Sequence, residues 1–189
     1  MKNFLSITAL CFVLCAGAAS AAELVGVTMP DQVTVDGKQL SLNGLGLREA
    51  SMLKVDVYVG GLYLEELSSD PQAILDSDQI KRIDMHFVYK KVARKKLVKA
   101  WDEGLEANTG DKFDGFRDSL DTLNGWMDDV VKGDTMSFTA IPGKGLEVSV
   151  KNETKGVIED EAFAKAFWSI WLGPEPPNEG LKTGMLGAD

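Results

Sequence analysis

The alternation of apolar and polar positions places strands toward both ends of the chain and helices between them. "QVTV" and "QLSL" alternate on either side of Asp36-Gly37, a dipeptide suited to a two-residue hairpin turn. The stretch from Leu53 to Leu64 is the longest strand candidate, and its Gly60-Gly61 pair suggests a bulge or a close backbone approach. "SSDPQAILDSD" predicts a short helix with Pro71 at its first position and Ser69 or Asp70 as its cap. "IKRIDMHFVY" returns to strand spacing. It sets Ile80, Arg82, Asp84 and His86 on one face, and Lys81, Ile83, Met85 and Phe87 on the other.

Helical periods follow. Leu97, Val98, Trp101 and Leu105 share one face of a first helix. After the breaker "NTGD", Phe113, Phe116, Leu120, Leu123, Met127 and Val130 recur at three- and four-residue steps and predict a second. "TMSFTAIPGKGLEVSVKNETKGVIED" reads as two or three antiparallel strands, with Pro142-Gly143 in a turn. A last long helix starts near Asp160, carries the stripe Phe163, Ala166, Phe167, Ile170 and Trp171, and ends at Gly173-Pro174. "NEGLKTGMLG" predicts one more short helix. Strands flanking a block of helices make an α+β fold, with helices over one face of a large antiparallel sheet.

The N-terminus stands apart. Lys2 precedes the apolar run "FLSITALCFVLCAGA", and "ASA" follows at Ala19 to Ala21. This is the pattern of a secretory signal peptide, expected to occupy residues 1–22 and leave one domain over 23–189. A lipoprotein signal ending at Cys15 is the rival, but "FVLC" lacks the small residues that normally precede a lipidated cysteine. Cys11 and Cys15 are the two cysteines of the chain, so the remaining domain has no thiol. That removes disulfides, cysteine nucleophiles and thiolate metal sites together. No stable membrane span is expected after cleavage.

Charge narrows the function further. Twenty Lys and Arg face 29 Asp and Glu, a net −9, which repels polyanions and argues against nucleic-acid binding. "YKKVARKKLVK", from Tyr89 to Lys99, is a dense basic exception. It reads either as a solvated helix face paired with neighbouring acids or as a contact with an anionic surface. His86 is the only histidine, too few for a histidine zinc site, and no "GxSxG" elbow accompanies it. Neither a metal nor a cofactor is expected.

The stretch "LNGLGLREASMLKVDVYVGGLYLEE" raises a different possibility. A glycine-punctuated turn leads to Arg48, and an apolar strand with Tyr58 and Tyr63 follows. By strand parity, Leu53, Val55, Val57 and Val59 share one face, with Tyr58 on the other and Tyr63 facing away from Tyr58 unless the glycine pair bulges. "LNGLGLRE" and "KVDVYVGGLYLEE" resemble the signature of the chalcone isomerase-like superfamily. The ending "IWLG…LKTGMLG" resembles its bacterial secreted branch. Together they cover most of the chain, from about Val33 to Gly187.

The resemblance implies a large antiparallel sheet, helices over one face, and a cleft between the layers. In the isomerases of this superfamily, the arginine matching Arg48 binds the substrate oxyanion; in fatty-acid-binding relatives, it holds a carboxylate. A guanidinium suits both, because its planar fork donates two parallel hydrogen bonds. The isomerases carry threonine where Tyr58 stands here, and a hydroxyl residue at the position of Ile170, with Ser169 one step away. Their helix tyrosine and asparagine find no clear match in "KKVARKKLVKAWDEGLEAN", a stretch filled by lysine and acidic residues. The resemblance therefore implies a secreted, periplasmic binding module for a small amphipathic anion such as a fatty acid or a phenolic, with Arg48, Tyr58 and Tyr63 as ligand contacts. Two other readings stand beside it. One is an isomerase or intramolecular lyase with Arg48 as its charge stabiliser. The other is an envelope interaction protein using Lys90 to Lys99. Without a ligand, Arg48 would pair with Glu49, Asp56 or a C-terminal carboxylate.

Overall fold

A computed structural model describes residues 21–50 and 54–188. The signal segment therefore falls outside the described residues apart from Ala21 and Ala22, which open the first strand. Strands β1 (Ala21–Leu24) and β2 (Val27–Pro30) form a hairpin. β3 (Gln32–Val35), β4 (Lys38–Ala50) and β5 (Val55–Leu64) follow, then helix α1 (Pro71–Asp76) and β6 (Lys81–Phe87). A short ribbon of β7 (Lys91–Val92) and β8 (Val130–Val131) brackets helix α2 (Arg94–Thr109), a 3₁₀ segment (Gly110–Phe116) and helix α3 (Arg117–Trp126). β9 (Thr135–Ile141), β10 (Gly145–Val150), β11 (Glu153–Ile158), α4 (Glu161–Leu172) and α5 (Glu179–Met185) complete the order.

Seven strands make one antiparallel sheet in the order β11-β10-β9-β6-β5-β4-β3. The predicted hairpin about Asp36-Gly37 forms with both residues at positive φ, 51° and 79°, as a two-residue turn of this hand requires. β6 alternates in burial as its sequence does, with Lys81, Ile83, Met85 and Phe87 under the helices. Asp70 caps α1 by accepting from the amides of Gln72 and Ala73, and Asp160 caps α4 by accepting from Phe163. The core between sheet and helices is strongly aromatic. Trp101 of α2, Phe138 of β9, and Phe167 and Trp171 of α4 touch one another with ring centroids 5.1 to 5.9 Å apart. The β1–β2 hairpin covers part of the other sheet face, where Val27 and Met29 pack on Val59.

Three expectations are corrected. The second helix does not run unbroken from Phe113 to Val130. Its Phe113–Phe116 turn is 3₁₀, for which a three-residue step is the natural period, and α3 stops at Trp126. Arg94 enforces that stop: its guanidinium donates to the carbonyls of Asn124 (2.7 Å) and Met127 (3.0 Å), acceptors left open at a helix end. Val130 instead pairs with Val92 in the ribbon.

The glycines before Arg48 are not a turn but the middle of β4. They are small because α5 lies directly on them. A Cβ on Gly44 would overlap the carbonyl of Gly184, and one on Gly46 the carbonyl of Leu181.

The third correction concerns the bulge. The ladder runs regularly through Gly60 and Gly61, and the β4–β5 register shifts instead at Asn43 and again between Tyr58 and Asp56. The second shift inserts Val57 as an extra residue on β5. Val57, Tyr58 and Val55 therefore share the helix-covered side, and the expected opposition of Tyr58 to the early valines does not arise. Tyr63 does face away from Tyr58, as strand parity predicts.

Candidate functional site

Arg48 and Tyr58 are direct cross-strand partners in the β4–β5 register, so their side chains project from the same face of the sheet. That face is the one beneath the helices. Both side chains line a cleft of about 590 Å³ between β4, β5, α2, the end of α4 and the proline-rich turn before α5. This volume lies within the range of small-molecule sites. Its walls are mostly apolar: Val55, Val57, Phe87, Leu97, Trp101 and Ile170. Ala100, Gly104 and Ala107 come from successive turns of α2, and their small side chains leave the space open.

Each functional group has an identifiable support. Tyr58 is 6% exposed, and its hydroxyl accepts a hydrogen bond from the Trp171 indole N–H at 3.1 Å. The phenolic proton remains available to donate. Burial pushes the Tyr58 phenol up to about 12; the Trp171 hydrogen bond and the nearby Arg48 charge oppose that shift only partly. The side chain is a neutral donor across the physiological range.

Arg48 is half-buried. Its Nη1 donates to the Glu49 carbonyl and to Asn178 Oδ1 at 3.4 Å. Asn178 in turn donates to the Leu47 carbonyl at 3.1 Å, which ties the entry of α5 to β4 beside the guanidinium. Neither Glu49 nor Asp56 forms an ion pair with Arg48 among the described residues. The C-terminal carboxylate of Asp189 lies outside them.

Tyr63 is not brought to this cleft. It is buried on the opposite sheet face with Val35, Leu40, Ile80 and Ile141, and its hydroxyl donates to the Pro30 carbonyl at 2.9 Å. Burial, with the neighbouring Asp84 charge, raises its phenol as well. It fastens β5, an interior strand of the sheet, to the β1–β2 hairpin. His86 also lies on the face away from the helices.

Sequence reasoning missed several parts of the cleft. Tyr89, Lys91 and Lys96 line it from the start of the basic run, and Glu103 from further along α2. Glu175, Pro176 and Pro177 close one end. Asn108 fixes that end by donating to the Glu175 carbonyl and accepting from its amide, both at 3.0 Å. The Trp171 indole N–H finds its acceptor in the Tyr58 hydroxyl, whereas the buried N–H groups of Trp101 and Trp168 have no partner among the described residues. Ile170 faces the cleft, whereas the Ser169 hydroxyl turns back to the Ala166 carbonyl within α4. Among the described residues, no helix is long and apolar enough to cross a membrane.

Comparison with known proteins gives this architecture its relatives. A plant "Chalcone isomerase-like protein 1" from Humulus lupulus is 27% identical over 174 residues, covering 78% of this chain and 79% of that protein. The crystal structure of an Arabidopsis thaliana fatty-acid binding protein superposes with a TM-score of 0.70, covering 88% of this chain and 96% of its own, at 18% identity. That second likeness is one of fold: a large curled antiparallel sheet with helices on one side. The Chalcone isomerase-like family profile matches residues 21–187, and the chain belongs to that family.

Proposed function

We propose that this protein is a secreted, periplasmic binding module for a small amphipathic anion, a fatty acid in the first instance, and that it is not a catalyst. The observation that carries the reading is the juxtaposition of Arg48 and Tyr58 on one wall of an otherwise apolar cleft. A carboxylate at this wall would accept from the guanidinium fork and from the Tyr58 hydroxyl, whose own acceptor position Trp171 already fills. The acyl chain would lie against Val55, Val57, Leu97 and Ile170. An anion held in so apolar a setting needs the opposite charge that Arg48 supplies.

Two further observations support binding rather than turnover. The cleft position where the related isomerases place a hydroxyl is occupied by Ile170, and Ser169 spends its hydroxyl inside α4. The structural relative from Arabidopsis thaliana is named a fatty-acid binding protein. Export rests on the leader pattern of residues 1–22.

Native mass spectrometry of protein purified from its own host, beside Arg48→Ala, tests the reading. The wild type is expected to carry an acidic amphiphile that the variant lacks. If both bind dodecanoate equally well in titration, the anchor assignment is wrong.

A further inference from the structure

The basic run is distributed in a way that helix stability does not account for. α2 has Arg94, Lys95, Lys96 and Lys99 in its first turns and Asp102, Glu103 and Glu106 further along. A helix favours the reverse, acids at its N-terminus and cations at its C-terminus. α3, α4 and α5 have Asp118, Glu161 and Glu179 in their first turns; α1 and α2 have no acid there, and α2 alone fills its first turn with cations. The helix end itself is already served, because Asp129 accepts from the Arg94 amide. The unexplained feature is therefore the cationic surface, not the free amides.

That surface is exposed and only partly neutralised. Lys91 pairs with Asp129 at 2.7 Å and Lys99 with Glu103 at 3.1 Å. Lys90, Lys95 and Lys96 are exposed and make no ion pair among the described residues. The patch also carries apolar surface: Val131, 45% exposed, sits opposite Lys91 in the β7–β8 ribbon. Its position is the decisive point. Lys91 and Lys96 belong both to this surface and to the cleft lining, so the patch is the rim of the cleft.

We propose that this rim docks on an anionic lipid bilayer, placing the cleft mouth at the headgroup layer where an amphiphile enters or leaves. Cations with an exposed valine among them match the negative surface and shallow apolar boundary of such a membrane. The molecule as a whole carries a net −9, so the surface outside this patch is acidic, is repelled from the same membrane, and so orients this face toward it. An acidic protein partner would satisfy the charge but leaves the shared rim without a purpose. The proposal rests on the cleft being a ligand site, and the experiment separates the two.

The full chain is titrated with vesicles of phosphatidylglycerol and phosphatidylcholine, and with vesicles of phosphatidylcholine alone. The ratio of the two partition constants cancels any apolar contribution from residues 1–20. Dodecanoate binding without vesicles is measured alongside. The variant replaces Lys90, Lys95 and Lys99 by Gln, three residues that do not line the cleft. The wild type is expected to prefer anionic vesicles, and the variant to lose on the order of 100-fold of that preference while binding dodecanoate unchanged. Equal partition onto both vesicle types overturns docking, as does a variant that keeps the preference. Tighter binding to polyglutamate than to anionic vesicles overturns it in favour of a protein partner. If the preference behaves as expected but dodecanoate fails to bind, docking stands and the cleft reading falls.

Discussion

Arg48 and Tyr58 face each other across the β4–β5 ladder and share the helix-covered side of the sheet. The pairing is a backbone fact before it is a side-chain one. The register delivers a cation and a neutral hydroxyl donor to one spot, and the bulge at Val57 turns the neighbouring valines toward the same space.

Arg48→Ala should weaken binding of a C12 carboxylate by about 10- to 100-fold, the range for losing a charge-assisted hydrogen bond of ~1.5–3 kcal/mol. Arg48→Lys keeps the charge but loses the fork, and should fall between the two. Isothermal titration of the three proteins checks the order. A lysine variant weaker than the alanine variant would contradict it.

Tyr58→Phe leaves the Trp171 N–H buried without an acceptor. Denaturant unfolding should show a loss of ~1–3 kcal/mol, the cost of stranding a buried donor. Adding Trp171→Phe should recover part of that loss, because the orphaned donor disappears with it.

The Tyr58 phenol also makes stability depend on alkaline pH. Its native pKa of about 12 exceeds the unfolded value of 10.0, so the unfolded chain ionises first. The contribution is intact below pH 10 and is lost as pH rises toward 12, by ~2–3 kcal/mol. Tyr63 shifts in the same direction and remains in both proteins compared. The stability gap between wild type and Tyr58→Phe should hold constant below pH 10 and change by this amount by pH 12. An identical gap at pH 9 and pH 11.5 would falsify the assignment.

Gly46→Ala places a methyl group against the Leu181 carbonyl, where neither backbone can yield cheaply. The expected cost is about 3 kcal/mol, at the upper end for overpacking. Displacing α5 also moves Asn178 away from Arg48, so ligand affinity should fall with stability. A variant with unchanged melting temperature and affinity would show that α5 is not held in this way.

Ala100→Trp should fill the cleft from the α2 side without disturbing the core, since Ala100 is exposed. Dodecanoate binding should drop at least about tenfold while stability stays within ~0.5 kcal/mol. Preserved affinity would relocate the ligand.

Local signals served the sequence reading well. Asp36-Gly37 marked a turn, Ser69 or Asp70 before Pro71 a cap, and Asp160 the start of the last helix; the structure has the turn, takes Asp70 as the cap, and starts α4 at Glu161 with Asp160 capping it. Gly44 and Gly46 misled it, because a glycine in a turn and a glycine under a distant helix look alike in sequence. Only the arrival of Leu181 and Gly184 distinguishes them. Parity identified Tyr58 and Tyr63 as opposites. It could not say which face the helices would cover, nor foresee that Val57 would break the alternation. Periodicity placed Trp171 on the apolar stripe of its helix, but nothing local to the sequence pairs its N–H with Tyr58, 113 residues earlier. Asn108 lay at the polar end of a helix read through its apolar face and its charges, and its role depends on a turn 67 residues away.

The seat of α5 on the β4 glycines also bears on when this site can exist. Asn43 donates to the Met185 carbonyl across 142 residues, and Arg48 to Asn178 across 130. Contacts of that span carry a large loop-closure entropy. A growing chain can pair its early strands, but until α5 is synthesised it holds a bare glycine groove and an Arg48 without its Asn178 support. The support of Arg48 is thus a late acquisition: it comes only when the segment entering α5 reaches β4.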